Sequence, residues 1–426
     1  MMRYRLQGHE VSTDDPRLSG LIASAYAAKE RPVCLCRVPG LEMYIAKVAT
    51  QRYLVKRMPN SGAQHDPQCE AYEPPAYLSG LGEVSGRAIQ EDADSGTTTL
   101  KLDFSLSKAP GRAPPASSGV EADSVKADAT KLSLRGMLHF LWEEAGFNRW
   151  HPGMEGKRNW RVVRHFLLDA AAGKATKGMP LADALFLPES FSVDEKDDIQ
   201  QRRSARLAAL AAHGKTRPLM VLIGEVKEFG AARYGKKAVI KHLPDMPIML
   251  SDDLHGRLTK RFEAELSLWQ TVEGAKLVIV GTFGLGVTGI ASFEEVALMA
   301  VSDQWIPFET LFEAALLQKL THQRRRFLKG LRYNMPSSRP LASVVLSDTQ
   351  PKSVALYIMP ADASIAYRRE LADLLIEAEV PGWLWCASGA EPPSLPDRVG
   401  YVTPADLPAL VAPDPVPAPA PDDAHQ

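Results

Sequence analysis

The chain has 426 residues, of which 45% are hydrophobic and 24% charged, a globular composition with room for two or three domains. Its formal net charge of −1 excludes an overall field that attracts nucleic acid or membranes, so such binding needs local patches. Four cysteines are too few for a disulfide framework and favour a reducing cytoplasm. The N-terminus lacks the apolar stretch of a signal peptide, and no apolar window has the length of a membrane span. We therefore expect a cytoplasmic protein that does not contact a membrane.

The first hundred residues contain one predicted helix and one predicted hairpin. Apolar residues keep helical spacing over 16–29, which indicates a short amphipathic helix. Two runs, 43–48 and 53–57, have the composition of strands and predict a β-hairpin. We assign these elements to a small N-terminal module over residues 1–104.

Three of the four cysteines and one histidine lie around this hairpin, at Cys34, Cys36, His65 and Cys69. Three thiols and one imidazole can fill every position of a tetrahedral zinc ion, which is the arrangement of a structural site. We therefore predict a structural Zn²⁺ cofactor that staples the module, since so small a segment has little core of its own. Two other interpretations remain open: a chance grouping of buried cysteines with a surface histidine, and a redox or catalytic role for the thiols.

Composition then divides the rest of the chain. A stretch rich in proline, glycine and serine cannot bury a core and indicates a flexible linker, and a proline- and alanine-rich tail indicates disorder. The fold class is α+β and multi-domain, with a zinc-pinned β-hairpin module, a helical middle and a mixed α/β C-terminal region. The predicted segments are the linker 105–130, the helical region 131–216, a mixed α/β region 217–335 that ends in a basic helix, a small α/β region 336–403 and the tail 404–426.

Local signals place further elements within these segments. Ser251 is a candidate N-cap for a helix over 251–270, and Ser292 with Glu295 forms a capping box for a short helix. Cys386 stands in an apolar run, which indicates a buried core thiol. We also expect strands at 341–347, 353–359 and 382–386, a helix at 364–378 and a long helix from about 308 to 331.

The strongest basic stretch, 319–333, carries six lysines and arginines and no acid. At helical spacing His322, Arg325, Arg326 and Lys329 share a face, and such a face can neutralise several phosphates. The alternative is a solvated or domain-bridging face at a helix C-terminus, where cations are favoured. The candidate nucleic-acid contacts are His322, Arg324, Arg325, Arg326, Lys329 and Arg332.

Two weaker basic groups stand elsewhere in the chain. No recognised motif for reading bases accompanies them, and the tryptophan in the first is more often a core residue than a stacking platform. The groups are Lys157, Arg158, Arg161, Arg164 and His165 around Trp160, and Arg233, Lys236, Lys237 and Lys241 beside a predicted hairpin turn.

One pair of residues raises the possibility of catalysis. Glu225 and Lys227 have the spacing of a metal-dependent nuclease, but no acid precedes them on an adjoining strand. A strand–strand–helix–strand order does occur at 341–386 with Asp348 between its first two strands, but the second strand lacks the acid and the lysine. At best this region is an inactive relative of a nuclease core, so the sequence leaves enzymatic activity undecided.

Several stretches resemble one bacterial family with a domain of unknown function and about four hundred residues. They are Cys34-Leu35-Cys36 with Met43-Tyr44-Ile45-Ala46, the run 53–59 that leads into His65 and Cys69, the stretch 138–143, and the stretch 223–228. Members of that family are often carried on plasmids and integrated conjugative elements of proteobacteria. The family has no established activity, and its genetic setting links it to DNA by association only.

Together these observations predict a zinc-binding accessory protein of a mobile genetic element that contacts DNA or a DNA-processing protein. A metal-dependent nuclease, or a degenerate relative of one, is the first alternative. A purely structural interaction protein, in which the basic groups bridge domains, is the second.

Overall fold

The computed structural model describes residues 2–49, 52–108, 128–211, 216–233, 235–286, 288–387 and 391–398. The chain is a mixed α/β protein whose helices and strands alternate through these ranges. None of the helices in the described ranges has the length and apolar character needed to cross a bilayer. The predicted tail 404–426 and most of the predicted linker, 109–127, lie outside the described residues.

The N-terminal part forms a five-stranded sheet with one helix beside it. The sheet order is β2-β1-β3-β4-β5, and every neighbouring pair is antiparallel. The helix packs on the last strand, where the rings of Tyr26 and Tyr53 lie 4.8 Å apart. The elements are β1 Arg3–Leu6, β2 His9–Ser12, α1 Leu18–Ala27, β3 Val33–Cys34, β4 Leu41–Ala49 and β5 Arg52–Arg57.

The middle of the chain combines helices with short strands. Ser133 and Asn159 cap two of the helices by accepting hydrogen bonds from backbone N–H groups three residues on. Four short strands form the sheet β11-β10-β7-β6. The elements are α2 Leu81–Val84, β6 Ile89–Asp92, β7 Thr97–Leu100, β8 Ser107–Lys108, α3 Leu134–Glu144, β9 Arg149–Trp150, α4 Trp160–Ala171, β10 Lys174–Thr176, β11 Met179–Pro180, α5 Leu181–Ala184, β12 Leu185–Phe186 and α6 Lys196–Leu207.

Two predictions for this middle part are therefore wrong in detail. Region 131–216 is not purely helical, because its short extended segments pair with strands from elsewhere in the chain. The start of the predicted linker is ordered, since β8 pairs with a strand at Arg217–Pro218. Composition cannot report such pairings, because their partners are distant in sequence.

The next segment builds a closed barrel. Its sheet has the order β12-β14-β15-β16-β18-β17, and β14 also pairs with β17, which closes the ring. Its strands carry buried apolar residues on both faces: Ile223, Ile240, Ile248 and Val278 are all fully buried. The elements are β13 Arg217–Pro218, β14 Met220–Ala231, β15 Lys236–Ile240, β16 Leu243–Leu250, α7 Asp252–Arg261, α8 Glu263–Thr271, β17 Lys276–Leu285 and β18 Ala291–Val301.

Local capping signals gave one correct and one wrong prediction here. Ser251 does cap α7, accepting a hydrogen bond from the Leu254 N–H, although the helix breaks at Phe262 into two. The predicted capping box of Ser292 and Glu295 is wrong, because both residues lie in β18. The apolar run that ends β18 is buried and pairs with β17 along its whole length, and that pairing overrides the local preference.

The C-terminal sheet has the order β22-β21-β20-β19-β9. The predicted strand–strand–helix–strand order is confirmed, with β21 and β22 parallel on either side of α10. The long helix predicted over 308–331 is wrong: it ends at His322, and Arg324 then adopts a positive φ of 55° that leads into a strand. The elements are α9 Leu311–His322, β19 Phe327–Lys329, β20 Val344–Leu346, β21 Val354–Pro360, α10 Ile365–Glu377 and β22 Gly382–Ala387.

The prediction that Cys386 is a buried core thiol is also wrong. Cys386 is exposed on β22, whereas its neighbour Trp385 is buried. Successive residues of a strand point to opposite faces, so an apolar run does not bury every member.

The segment after the first sheet docks on the C-terminal sheet. The Gly80 N–H donates to the Leu331 carbonyl at 2.9 Å, and the Ala342 N–H donates to the Leu78 carbonyl at 2.9 Å. Leu78 is buried in one cluster with Ala342 and Tyr357. The N-terminal part therefore packs directly against the C-terminal part.

The close approach at Gly80 can be tested. A methyl group at Gly80 would lie 1.9 Å from the Arg332 carbonyl oxygen, so we expect Gly80→Ala to destabilise the protein by about 1–3 kcal/mol. Gly20→Ala is the matched control, because a methyl group there meets nothing within 4 Å and alanine favours the helix by about 0.5–1 kcal/mol. Denaturant unfolding measures both. Equal midpoints for the two variants would contradict the docking.

Candidate metal centre

Four side chains from two parts of the N-terminal sheet converge on one point. Cys34 ends β3, and Cys36 follows it in the loop before β4. The loop after β5 contains a 3-10 turn at Gly62–Gln64, and His65 and Cys69 follow this turn. This loop turns back because the Cys69 N–H donates to the Asp66 carbonyl at 2.8 Å. The structure thus brings together all four residues predicted as ligands.

The distances fit a tetrahedral ion. The four ligand atoms all lie within 4.8 Å of one another. The Cys34 and Cys69 Sγ atoms are 3.8 Å apart, and the His65 Nδ1 lies 3.4 Å from the Cys36 Sγ and 3.9 Å from the Cys69 Sγ. A zinc tetrahedron has edges of about 3.8 Å between sulfurs and about 3.5 Å between sulfur and nitrogen. A disulfide needs a separation of about 2.05 Å, so the cysteines are free thiols.

Backbone N–H groups lie near the sulfurs. The Ala71 N–H donates to the Cys69 Sγ at 3.4 Å, and the backbone N–H groups of Cys36 and Asp66 act to lower the pKa of Cys34 and of Cys36, respectively. Such N–H groups favour the charged thiolate, which is the form that binds a metal. This second layer of contacts is what orients the ligands of a structural metal.

The crowded thiols strongly affect one another. The hydrogen bond with Cys34 and burial raise the pKa of Cys69 to about 12, and the same hydrogen bond lowers the pKa of Cys34. Burial raises the pKa of Cys36. Three neighbouring sulfurs therefore cannot all be thiolates unless a cation offsets their charge, and a divalent metal supplies that charge when bound.

The site is enclosed. His65 is fully buried, Cys34 is 1% exposed and Cys69 is 9% exposed. The His65 Nε2 finds no hydrogen-bond partner among the described residues, so Nδ1 is the nitrogen that faces the sulfurs. With four protein ligands in contact, no position is left open for a substrate or a reactive water. The arrangement is that of a structural site rather than a catalytic one.

Contacts beyond the ligands tie this loop to the C-terminal sheet. Arg149, on β9, donates to the carbonyls of Cys69 at 3.4 Å and Tyr72 at 2.5 Å. The hydroxyls of Tyr72 and Ser353 are hydrogen bonded at 2.6 Å. Leu328, on β19, is buried in the same apolar cluster as Cys34. A metal at this site would therefore fix the loop that connects two sheets.

In the structure, two cations of the predicted basic face are buried in ion pairs. Arg325 makes a bidentate ion pair with Asp348, with N–O distances of 2.9–3.2 Å, and each side chain is 6% exposed. Lys329 pairs with Glu313 at 2.9 Å, and both are buried. These acids were outside the stretch considered from sequence, which is why its charge looked uncompensated. The two cations are directed into the protein.

The remaining members of the stretch do not form one surface either. Arg332 pairs with Glu309, and exposed Arg324 pairs with Glu155 at 3.3 Å. The prediction that these residues share one face of a helix is wrong, because the helix ends at His322 and the following residues enter β19. Nucleic-acid contact by this stretch stays a prediction for its exposed members, such as His322 and Arg324.

The Glu225 and Lys227 pair lies on β14 as predicted, but its surroundings differ from a nuclease site. The buried Glu225 carboxylate accepts from the Lys241 ammonium at 2.8 Å, whereas Lys227 is exposed. Within the described ranges, the Cys–His group is the one set of three or more His, Cys, Asp or Glu side chains placed to share a metal. The geometry gives a nuclease no support.

The basic group around Trp160 is divided, with Lys157, Arg161 and His165 exposed and two arginines turned toward backbone carbonyls. Trp160 is buried and stacks on His242 at 5.7 Å. The Arg158 guanidinium donates to the carbonyls of Phe147 and Gln304. The spacing of charges along the chain cannot distinguish such internal donors from a phosphate-binding patch.

The stretch 138–143, part of the family resemblance, ties α3 to the segment after β19. Tyr333 donates from its hydroxyl to Glu143 and from its N–H to His139 Nδ1 at 2.9 Å. Burial raises the pKa of Glu143 to about 7 and lowers that of His139 to about 3. These polar groups therefore form hydrogen bonds with one another inside the protein.

Sequence reasoning missed one cavity. It has a volume of about 250 Å³ and lies between α4, α6 and the turn between β15 and β16. Two of its arginines are already bound by acids, Arg202 by Glu189 at 2.8 Å and Arg203 by Asp245 at 2.6 Å. No local signal could have found it, because its walls come from four separate segments, the fourth being residues 185–189.

The buried pair offers a direct test of the corrected basic stretch. We expect Arg325→Met to destabilise the protein by about 3–5 kcal/mol, since it leaves the Asp348 carboxylate buried without its partner. Arg324→Met, which removes an exposed pair, should cost no more than about 1 kcal/mol. Thermal unfolding compares the two. Similar losses would mean that the pair is not buried in solution.

Comparison with known proteins gives one match. A family model described as protein of unknown function (DUF1173) matches residues 4–388, a range that includes all four candidate ligands and every sheet described above. No curated protein and no solved structure matches the chain. Because the match covers most of its length, the chain belongs to the DUF1173 family.

Proposed function

We propose that this protein binds one structural Zn²⁺ through Cys34, Cys36, His65 and Cys69, and that the metal holds the N-terminal sheet to the C-terminal sheet. The observation that carries the proposal is the convergence of the four ligand atoms within 4.8 Å. Soft thiolates with an imidazole suit zinc, whereas the hard cations Mg²⁺ and Ca²⁺ require oxygen ligands.

The need for a metal follows from the loop itself. Between β5 and α2 the chain has only two 3-10 turns, at Gly62–Gln64 and Ala76–Leu78. Such a segment gains little from backbone hydrogen bonding, so metal binding would supply the free energy that orders it. Thiol ligands must stay reduced, which supports a cytoplasmic location as part of the proposal.

Ligand replacement tests the zinc proposal. We expect Cys36→Ser to lose the metal, with a cost of about 3 kcal/mol or more and a fall in Tm of roughly 6–12 °C. Cys386→Ser is the matched control, because Cys386 is exposed on β22 and lies outside the cluster. Metal analysis and thermal unfolding measure both variants.

Cobalt substitution adds a second readout. Co²⁺ in the wild-type site should show the sulfur-to-metal charge-transfer bands of tetrahedral thiolate coordination, and Cys36→Ser should weaken them. A wild-type protein purified without metal, and unchanged in Tm when Zn²⁺ is added, would refute the proposal.

We further propose that the protein contacts DNA or a DNA-processing partner as an accessory of a mobile element. The mobile-element setting is supported only by the resemblance in the stretches around the cysteines and residues 223–228. Contact with DNA is supported by the turn between β14 and β15, where Arg233 is exposed and Lys236 and Lys237 are half-buried. These residues belong to the second of the two weaker basic groups, which was predicted beside a hairpin turn. In the structure that turn joins β14 to β15.

Salt dependence tests the contact with DNA. Two or three phosphate contacts should weaken binding by about ten- to fortyfold between 50 and 200 mM salt, because each contact releases bound counterions. Fluorescence anisotropy with labelled DNA measures this. The absence of binding at the lower salt concentration, or binding that salt does not change, would remove the proposal.

A further inference from the structure

The barrel has a defined topology. Going round the ring, the strands follow the order β14-β15-β16-β18-β17 and return to β14. Four of the five pairings are antiparallel, and the pairing of β16 with β18 is parallel. Two short helices, α7 and α8, connect β16 to β17. Numbered by their order in the chain, the five strands thus follow one another around the closed barrel as first, second, third, fifth and fourth.

This arrangement is the Greek-key order of an oligonucleotide- or oligosaccharide-binding (OB) barrel. The first strand of such a barrel must pair on both sides. Here β14 pairs with β17 through residues 220–225 and with β15 through residues 226–231, with a bulge between Val226 and Glu228. A bulge bends the strand between its two partners. Topology alone does not establish a ligand, so surface chemistry must decide.

Ligands of OB barrels lie across the second and third strands, beside the turn after the first strand and the turn before the last. In this barrel that region contains a row of paired residues across four strands. Gly230 pairs with Lys237, Lys237 with Met249, and Met249 with Ser292.

The row faces outward. Lys237 and Met249 are half-buried, whereas the next pair along the same strands, Ala238 and Ile248, is completely buried. Because neighbouring residues in a strand point to opposite faces, Ala238 and Ile248 fill the barrel and the row lies on its surface. Gly230 adds no side chain to this surface, and the Lys237 side chain lies over it, since a methyl group at Gly230 would be 3.3 Å from the Lys237 Cε.

The charges of this surface suit a polyanion. Lys237 lies in the row, Lys236 stands next to it at the first position of β15, and Lys227 is exposed on β14 beside the exposed side chain of Glu228. Among the described residues, none of these three ammonium groups has a carboxylate at ion-pair distance, in contrast to Lys241, which binds Glu225. Cations without internal partners can neutralise phosphates.

The opposite edge of the same surface is apolar. Ile290 lies in the turn between β17 and β18 and is 56% exposed. Ser292, two residues on, is in the row that contains Met249 and Lys237. An apolar edge beside a basic edge suits a strand whose bases are unpaired, because bases can contact the apolar side while phosphates meet the lysines.

We propose that the outer face of the β14–β18 barrel, with Lys237 on it, Lys236 beside the turn at the same edge and Ile290 at the other edge, binds single-stranded nucleic acid. The inference rests on the proposed contact with DNA and specifies its site and substrate class. Backbone contacts dominate, so binding has little sequence preference. A duplex buries its bases and would use only the basic edge.

The test uses full-length, zinc-loaded protein and fluorescence anisotropy. The probes are a labelled thymidine oligonucleotide of about 20 nucleotides, long enough for one barrel, and a duplex of equal length. We expect tighter binding to the single strand. The double variant K236E/K237E should weaken that binding at least tenfold and reduce the salt slope by about 1.4, which corresponds to two lost contacts.

Two other variants complete the design. K29E/K157E makes the same charge change at exposed lysines outside the barrel and should alter affinity by less than twofold. Ile290→Ser should lower single-strand affinity about two- to fivefold without changing the salt slope, since it removes only apolar contact. Zinc content and Tm confirm that each variant is folded, and K236Q/K237Q replaces the double variant if it is not.

The outcomes separate the two proposals. If wild-type protein binds no nucleic acid, both the proposed contact and this inference fail. If it binds but K236E/K237E and K29E/K157E lose affinity equally, the contact stands and the barrel assignment is wrong. Equal affinity for duplex and single strand, with no effect of Ile290→Ser, would overturn the single-stranded substrate class.

Discussion

The convergence of three thiols and one imidazole is the constraint on which the arrangement of the N-terminal part depends. The ligand atoms lie within 4.8 Å of one another, yet they come from a strand end and from a loop with almost no regular structure. That loop also accepts hydrogen bonds from Arg149 and shares a hydroxyl–hydroxyl hydrogen bond with Ser353, and both residues belong to the C-terminal sheet and its connections. A bound metal would therefore act at a junction, holding two sheets together through one irregular segment.

Two buried ion pairs neutralise basic residues for which the local sequence offers no acid. Arg325 with Asp348 and Lys329 with Glu313 lie inside the C-terminal part, where an unpaired charge would be strongly unfavourable. Because these cations are not at the surface, an anionic partner would have to bind elsewhere. Lys236 and Lys237, at the start of β15, have no carboxylate at ion-pair distance among the described residues, and this is why the proposed contact is assigned to the barrel.

Local signals predicted much of the fold and failed at identifiable places. Ser251 capped its helix as expected, because a cap depends on residues only three positions away. Ser292 and Glu295 had an equally good cap signal but lie in β18, because strand pairing with β17 buries the apolar run that follows. The closure of the barrel depends on pairings such as Met249 with Ser292, and no local pattern contains them.

The sequence by itself determined the candidate ligand set, because Cys34, Cys36, His65 and Cys69 carry a rare chemistry at a recognisable spacing, and the structure brings these four together. It also determined the order of elements from β20 to β22, where periodicity and length are sufficient. Only the tertiary structure decided which charges are exposed. A lysine or arginine has the same identity in the interior and at the surface, and its role depends on whether a distant acid such as Asp348 or Glu313 folds against it.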